Sequence, residues 1–253
     1  MGQSRINICG LGVDNISLDD AISRMEIYIQ ERKPVYIVTP NVDHVVKIQH
    51  DKEFRDSYRE ASLVLCDGAP LIWASRILRD PVRERICGSD LFVYLAEIAA
   101  KKGYRLYFLG GRPGSAQLAA DIFRQKYPAI QIVGVYSPPF GFEKDPRENE
   151  KVVSLIKRAQ PDILLAGLGT PKQEKWIKRY HQETEVPVSI GIGASFEFAA
   201  GIVKRAPLWI RRCGFEWLWR LIIEPHRLWK RYLVDDREFF LLVLRQRLKG
   251  PRF

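Results

Sequence analysis

Short apolar runs alternate with amphipathic ones from residue 6 to residue 192, and this alternation constrains the fold more than any other feature. Runs at 6–11, 35–39, 63–66, 106–109, 132–135, 163–166 and 188–192 have strand length and composition. Between them lie helix-like stretches at 18–31, 43–58, 71–78, 90–102, 115–126, 147–159 and 171–180. Strand followed by helix, repeated, predicts an α/β fold: a mostly parallel, Rossmann-like sheet with helices on both faces. Ser17 precedes the first helix, and Pro171 suits the first turn of another.

The pattern stops near residue 201. From there to the C-terminus the chain carries 13 Lys and Arg against 5 Asp and Glu, net +8, while the whole chain is only +10. Four of its six tryptophans (Trp209, Trp217, Trp219 and Trp229) lie in the same stretch. Gly214 and Pro225 punctuate it, and a last helix is expected over about 235–248. The division expected is therefore a catalytic α/β domain at 1–200 and a basic, Trp-rich helical appendage at 201–253. Cations gain Coulomb energy at phosphate headgroups and indole suits the apolar–wet boundary, so the appendage fits an anionic membrane surface. A solvated basic face packed back through its tryptophans is the alternative. No apolar run precedes the first strand and none reaches the ~18 residues of a membrane span, so a cytoplasmic, peripherally bound protein is expected. Four cysteines show no paired or zinc-like spacing; Cys9 and Cys66 read as buried thiols.

Ligands of open α/β sheets bind beyond the carboxyl ends of the strands. Glycines mark several of these ends, at Gly110–Gly111, Gly167–Gly169 and Gly191–Gly193, where backbone N–H groups approach phosphate oxygens closely. Each alone is also ordinary turn punctuation. Gly10–Leu11–Gly12 lacks the third glycine of a dinucleotide fingerprint, with Asn15 in its place, and no nicotinamide cofactor is expected. Asp67, at the end of a wholly apolar run, is the best general-base candidate, its competing role being a turn cap before Gly68. Asp43 and His44 are nearby rivals, Asp43 reading rather as a helix-dipole partner. There is no Asp-x-Asp triplet and no His pair at metal-binding spacing, so no metal is expected, and a leaving diphosphate would rely on cations and backbone donors. Arg220, Arg227 and Arg231 would share one face of a continuous helix, but Pro225 divides it. No nucleic-acid signature appears.

The motifs TPNVDHVV (39–46), LCDGAPLIWASR (65–76), RICGSDL (85–91), FLGGRPGSA (108–116), GLGTPKQEKWI (167–177), IGASFEFAAGIVKRAPLWI (192–210) and EWLWRLIIEPHRLWKRYL (216–233) run in order over nearly the whole chain. Together they resemble the WecG/TagA/CpsF family of bacterial glycosyltransferases. The resemblance implies inverting, metal-independent and cofactor-free transfer of a sugar from a UDP-sugar to a polyprenyl-diphosphate-linked sugar at the cytoplasmic membrane, in cell-surface polysaccharide synthesis. N-acetylmannosamine is the expected sugar, with UDP-glucose or a UDP-uronic acid in exopolysaccharide or capsule assembly as the alternative. It implies Asp67 as the base, Thr39 and Asn41 in the sugar pocket, and Arg85 and Gln173 holding donor or acceptor. Gly110, Gly111, Gly169, Gly193 and Glu197 would serve the nucleotide. The appendage would close the active site and meet the membrane, with Arg220, Arg227, Lys230 and Arg231 at the diphosphate or lipid surface, within one chain or across an oligomer. Two positions depart from the family pattern: Lys230 stands where arginine is typical, losing the bidentate fork, and Glu197 stands where aspartate is commoner. A sugar-nucleotide-binding module without activity and a nucleic-acid-binding α/β protein are the readings from other classes.

Overall fold

The computed structural model describes residues 5–250, with the side chains of Arg212 and Arg227 outside the described set. In chain order its elements begin with β1 (Ile6–Ile8), β2 (Leu11–Val13), α1 (Leu18–Glu31), β3 (Val35–Val38), α2 (Val42–His50), α3 (Lys52–Arg59), β4 (Leu63–Val64) and α4 (Ala69–Ile77). Then come α5 (Gly88–Lys102), β5 (Arg105–Gly110), α6 (Ser115–Lys126), β6 (Gln131–Tyr136), α7 (Pro146–Ala159), β7 (Ile163–Gly167), α8 (Lys172–Thr184) and β8 (Val188–Gly191). The C-terminal part holds α9 (Ser195–Ala199), α10 (Leu208–Arg212), α11 (Glu216–Ile223), α12 (Pro225–Lys230), a π-turn at Arg231–Asp235 and α13 (Arg237–Lys249). They sort into two compact units. Unit 1 comprises Met1–Leu18, Thr39–Cys87 and Lys204–Phe253; unit 2 comprises Asp19–Val38 and Gly88–Val203.

Unit 2 carries the predicted parallel sheet, with β3, β8, β7, β5 and β6 side by side. Strands β3, β8, β7 and β5 are almost wholly buried because both faces of the sheet are covered by helices, while β6 at the edge is only partly covered. The chain steps outward from β5 through α6 to β6, then reverses through α7 to β7 and α8 to β8. Right-handed crossovers put α6 on one face of the sheet and α7 and α8 on the other. The loops leaving β5 and β7, which are neighbours, therefore diverge to opposite faces, and this is the sheet's switch point. Beneath it, Phe92, Phe108, Phe123 and Phe196 pack ring on ring at centroid distances of 5.1–5.4 Å around Phe92 and between Phe108 and Phe196.

Unit 1 departs from the predicted pattern in two places. The run at 6–11 is not one strand of a parallel series: it turns back at Cys9–Gly10 and pairs antiparallel with β2. Both turn residues have positive φ, 53° and 86°, the backbone of a type I′ hairpin whose twist matches its strands. The helix expected at 43–58 is two helices. Asp51 ends α2 and starts α3, accepting the Phe54 N–H at 3.0 Å through its side chain, a capping preference that competes with helix continuation. Pro171 likewise precedes α8 rather than entering its first turn.

Residues 204–250 are built into unit 1. Gln246 on α13 accepts the Cys9 N–H at 2.6 Å and donates to the Asn7 carbonyl at 2.8 Å, closing on the hairpin turn. Leu228, Phe239 and Val243 are buried. Gly214 passes so close to Ala69 and Trp73 that a Cβ there would lie 2.6 Å from the Ala69 methyl. Pro225 does separate α11 from α12, as expected. No helix among the described residues is long and apolar enough to cross a membrane.

Candidate functional site

In unit 1, three loops that carry predicted site residues are tied together by backbone hydrogen bonds. The Asp67 N–H donates to the Pro40 carbonyl at 2.9 Å, and the Ile86 N–H donates to the Cys66 carbonyl at 2.8 Å. Thr39–Asn41, Cys66–Gly68 and Arg85–Ile86 are thereby held side by side. Burial pushes the Cys66 thiol up to about 12, with the Asp67 charge adding and the Arg85 charge opposing. Both charged side chains thus lie close enough to act on one sulfur. Thr39 is buried, while Asn41, Asp67 and Arg85 are half-buried. Gly68 adopts φ +100°, and a Cβ there would stand 3.6 Å from the Asn41 Cβ, so the carboxamide of Asn41 adjoins the turn that follows the predicted base.

Asn41 caps α2. Its Oδ1 accepts the Asp43 N–H at 3.1 Å, and its own N–H donates to His44 Nδ1 at 3.4 Å. The Tyr58 hydroxyl stands 2.9 Å from the same nitrogen. A backbone N–H only donates, so Nδ1 is an acceptor and His44 is the neutral Nε2–H tautomer. Burial drives its pKa down to about 3. His44 is therefore a framework group rather than the rival base. Asp43 is buried in ion pairs with Lys47 at 2.7 Å and Arg231 at 3.4 Å, consistent with its position in the helix's first turn.

Of the four tail cations expected at the diphosphate or lipid surface, Arg231 reaches this cluster directly, its Nη2 donating to Asn41 Oδ1 at 3.0 Å. Arg220 is half-buried on α11 and Lys230 is exposed at the end of α12. Arg227 lies on α12, its side chain outside the described residues. Residues 204–250 also carry thirteen of the twenty exposed large apolar side chains among the described residues, including Trp209, Ile222 and Leu248 at 68–76% exposure.

Unit 2 places Gly110, Gly111, Gly169 and Gly193 just past or at the ends of β5, β7 and β8, at and beside the switch point. Two of them show why glycine is required. Gly111, at φ +78°, donates its N–H to the Gly167 carbonyl at 2.8 Å, and a Cβ would lie 2.4 Å from Ser115 Oγ and 3.2 Å from the Phe196 ring. Gly193, at φ +54°, has nothing within 4 Å of its missing Cβ; its conformation, not crowding, selects glycine. Phe196 wedges α9 against this edge and so presents Glu197. One carboxylate oxygen of Glu197 accepts the Arg112 N–H at 2.8 Å; the other is buried with no hydrogen-bond partner among the described residues. Glu197 itself is only 6% exposed. A buried carboxylate oxygen without a donor is costly.

Gln173 is buried, and its carboxamide is committed to the framework. Its Oε1 accepts the Gly193 N–H at 3.1 Å, while Nε2 donates to Glu174 Oε1 at 2.7 Å. The other Glu174 oxygen accepts from Thr170 Oγ1 at 2.9 Å. This chain braces the loops after β7 and β8 against each other. Glu174, Thr170 and Phe196 were not singled out from sequence. Their only signal was adjacency to motif residues, since their roles depend on which loops the topology makes neighbours.

The family model described as "Glycosyl transferase WecG/TagA/CpsF family" matches residues 6–253. The chain belongs to the WecG/TagA/CpsF family. It is similar to the N-acetylglucosaminyldiphosphoundecaprenol N-acetyl-beta-D-mannosaminyltransferase of Bacillus subtilis (strain 168), 35% identical over 226 residues that cover 89% of this chain and 85% of the relative. It is also similar to proteins of the same name from Bacillus spizizenii, 32% identical over 85% of this chain and 82% of the relative, and from Staphylococcus aureus (strain NCTC 8325 / PS 47), 30% identical over 90% and 87%. Like the rest of the WecG/TagA/CpsF family it is a glycosyltransferase, and both the braced loops of unit 1 and the glycine-edged sheet of unit 2 lie within the matched span.

Proposed function

We propose that the protein transfers N-acetylmannosamine from its UDP conjugate to a polyprenyl-diphosphate-linked N-acetylglucosamine, with inversion at the anomeric carbon and without a metal. The observation that carries the reading is the cluster in unit 1, where Asp67 is held beside Asn41 and Arg85 by the Pro40–Asp67 and Cys66–Ile86 backbone bonds. The names of the relatives support the sugar and the acceptor.

In this mechanism the Asp67 carboxylate accepts the proton of the acceptor hydroxyl. The freed oxygen forms a bond to the anomeric carbon as the bond from that carbon to the diphosphate oxygen breaks, and UDP departs with the electron pair. Thr39 and Asn41 orient the sugar, and Arg85 offers a cation to donor or acceptor. Unit 2 takes the nucleotide: backbone N–H groups along its glycine-bearing edges suit phosphate oxygens, and the unpartnered oxygen of Glu197 suits a hydroxyl or N–H of the nucleoside. Gln173 acts through Gly193. Arg220, Arg227 and Lys230 supply positive charge toward the departing diphosphate or the lipid headgroups. The exposed apolar side chains of residues 204–250, mixed with Arg and Lys, support peripheral contact of the tail with the inner face of the membrane.

The test is a transfer assay with a panel of UDP-sugars on polyprenyl-diphosphate-linked N-acetylglucosamine, comparing wild type with Asp67→Asn, each with and without EDTA. The expected result is product from UDP-N-acetylmannosamine, resistant to EDTA and lost in Asp67→Asn. Product from UDP-glucose or a UDP-uronic acid alone would overturn the assigned sugar, and full activity of Asp67→Asn would overturn the assigned base.

A further inference from the structure

The Asn41 carboxamide has a chemically fixed orientation, and a residue of the tail fixes it. Its Oδ1 accepts from the Asp43 N–H at 3.1 Å and from Arg231 Nη2 at 3.0 Å. A backbone N–H and a guanidinium have no acceptor to offer, so the flipped amide would set its own N–H hydrogens against two donors. Oδ1 therefore faces inward. Asn41 is half-buried, and its hydrogen bonds among the described residues run through its backbone N–H and Oδ1, so Nδ2 is the part of the side chain left for a ligand. Arg231 is itself held in place. Asp43 Oδ2 lies 3.4 Å from its Nη2, and the buried Asp236 lies within its electrostatic reach. The π-turn closes on Arg231, whose carbonyl accepts the Asp236 N–H at 2.8 Å. A π-turn inserted between helices is a recurrent feature of functional sites. The Asp43 carboxylate paired with this guanidinium offsets part of its charge and leaves less of it for a distant diphosphate.

We propose that Arg231 is a positioning residue: it locks the Asn41 carboxamide so that the two N–H hydrogens of Nδ2 are the donors offered to an acceptor oxygen of the bound sugar. The inference rests on the proposed transferase reading. It makes docking of the tail onto Asn41 a condition for sugar recognition, and it removes Arg231 from the group of cations that would meet the diphosphate.

A double-mutant cycle on kcat/KM separates the two roles, using Arg231→Met, Asn41→Ala and the double variant in the same transfer assay. Acting through Asn41, Arg231→Met costs about 10-fold or more in the wild-type background, the scale of a charge-assisted hydrogen bond, and less than about 2-fold in the Asn41→Ala background. Losses that multiply in the double variant would instead make Arg231 an independent contact and overturn the proposal. Asn41→Asp supplies a second reading that does not depend on Arg231→Met folding. Its carboxylate still accepts from Arg231 and the Asp43 N–H, so the tail stays docked, but the two donors are gone. The expected result is an unchanged thermal midpoint with kcat/KM reduced about 10-fold or more; retained activity overturns the proposal. A wild-type protein that transfers no sugar would overturn the parent reading and this inference together, whereas wild-type product with multiplying losses would overturn this inference alone.

Discussion

The two units build their site residues from different materials. Unit 2 uses backbone: glycines with positive φ, main-chain N–H groups at and beside a switch point, and one buried carboxylate braced by the Arg112 N–H. Unit 1 uses side chains: a half-buried Asp67, an arginine beside it, and a carboxamide oriented by Arg231 within a web of Asp43, Lys47 and Asp236. Backbone donors suit a ligand part that is the same in every turnover, such as a nucleoside diphosphate. Side chains with defined protonation and orientation suit the step in which a proton moves and one sugar is chosen. The difference teaches that substitutions in the two units should fail in different ways.

The largest expected effect is in unit 1. Asp67→Asn removes the proton acceptor without changing the size of the side chain, and transfer should fall by about 10²- to 10⁴-fold in kcat, the usual contribution of a general base. The next concerns unit 2. Glu197→Gln keeps an oxygen for the Arg112 N–H but replaces the unpartnered carboxylate oxygen by an amide. UDP affinity measured by calorimetry should weaken by about 10-fold, with kcat changed much less, as expected for one charge-assisted hydrogen bond. If Glu197→Gln instead lowered kcat and left UDP binding intact, the division of labour between the units would be wrong.

A pair of glycine variants sharpens the unit 2 side. Gly111→Ala drives a Cβ into Ser115 Oγ and the Phe196 ring, whereas Gly169→Ala meets nothing within 4 Å, and both share φ +78°. Thermal unfolding should show Gly111→Ala destabilised by about 1–3 kcal/mol beyond Gly169→Ala, the cost of overpacking rather than of backbone conformation. Equal losses would mean the edge is soft and Phe196 gives way.

The smallest effect tests the charged web of unit 1. Burial raises the Asp236 carboxyl to about 7 from an ordinary 3.8. Between those values the folded state binds more proton than the unfolded state, so this group's contribution to stability is full below about pH 4 and is lost as pH rises toward 7. Asp236→Asn cannot ionise, and its melting temperature relative to wild type should therefore rise across that window and level off above it. His44, held near 3 against an ordinary 6.5, acts in the opposite direction as pH falls, but it is common to both proteins and cancels in the difference. A difference that does not change with pH would contradict the buried, charge-opposed setting of Asp236.

The sequence carried most of unit 2 because periodicity and strand-end glycines are local signals. The helices at Leu18–Glu31 and Ser115–Lys126 were legible to the residue, and Gly110, Gly111 and Gly169 fell on the expected strand ends. Unit 1 was less legible because what sets it apart is long-range. Gly10 is the one local hint of a hairpin at Cys9–Gly10, and cysteine does not favour the positive φ that Cys9 adopts there. Nothing local says that Gln246 closes on that hairpin, or that Arg231 lies 190 residues from the asparagine it orients. Asp51 shows the same limit: either side of it reads as helix, and only the side-chain cap on Phe54 shows that the helix restarts there.

The most direct test of the account is to titrate UDP into Asp67→Asn by calorimetry and assay sugar transfer on the same sample. The account predicts UDP affinity within about 2-fold of wild type beside transfer reduced by at least about 100-fold. Loss of UDP binding in proportion to loss of transfer would contradict it, since Asp67 would then belong to nucleotide recognition rather than to the proton transfer.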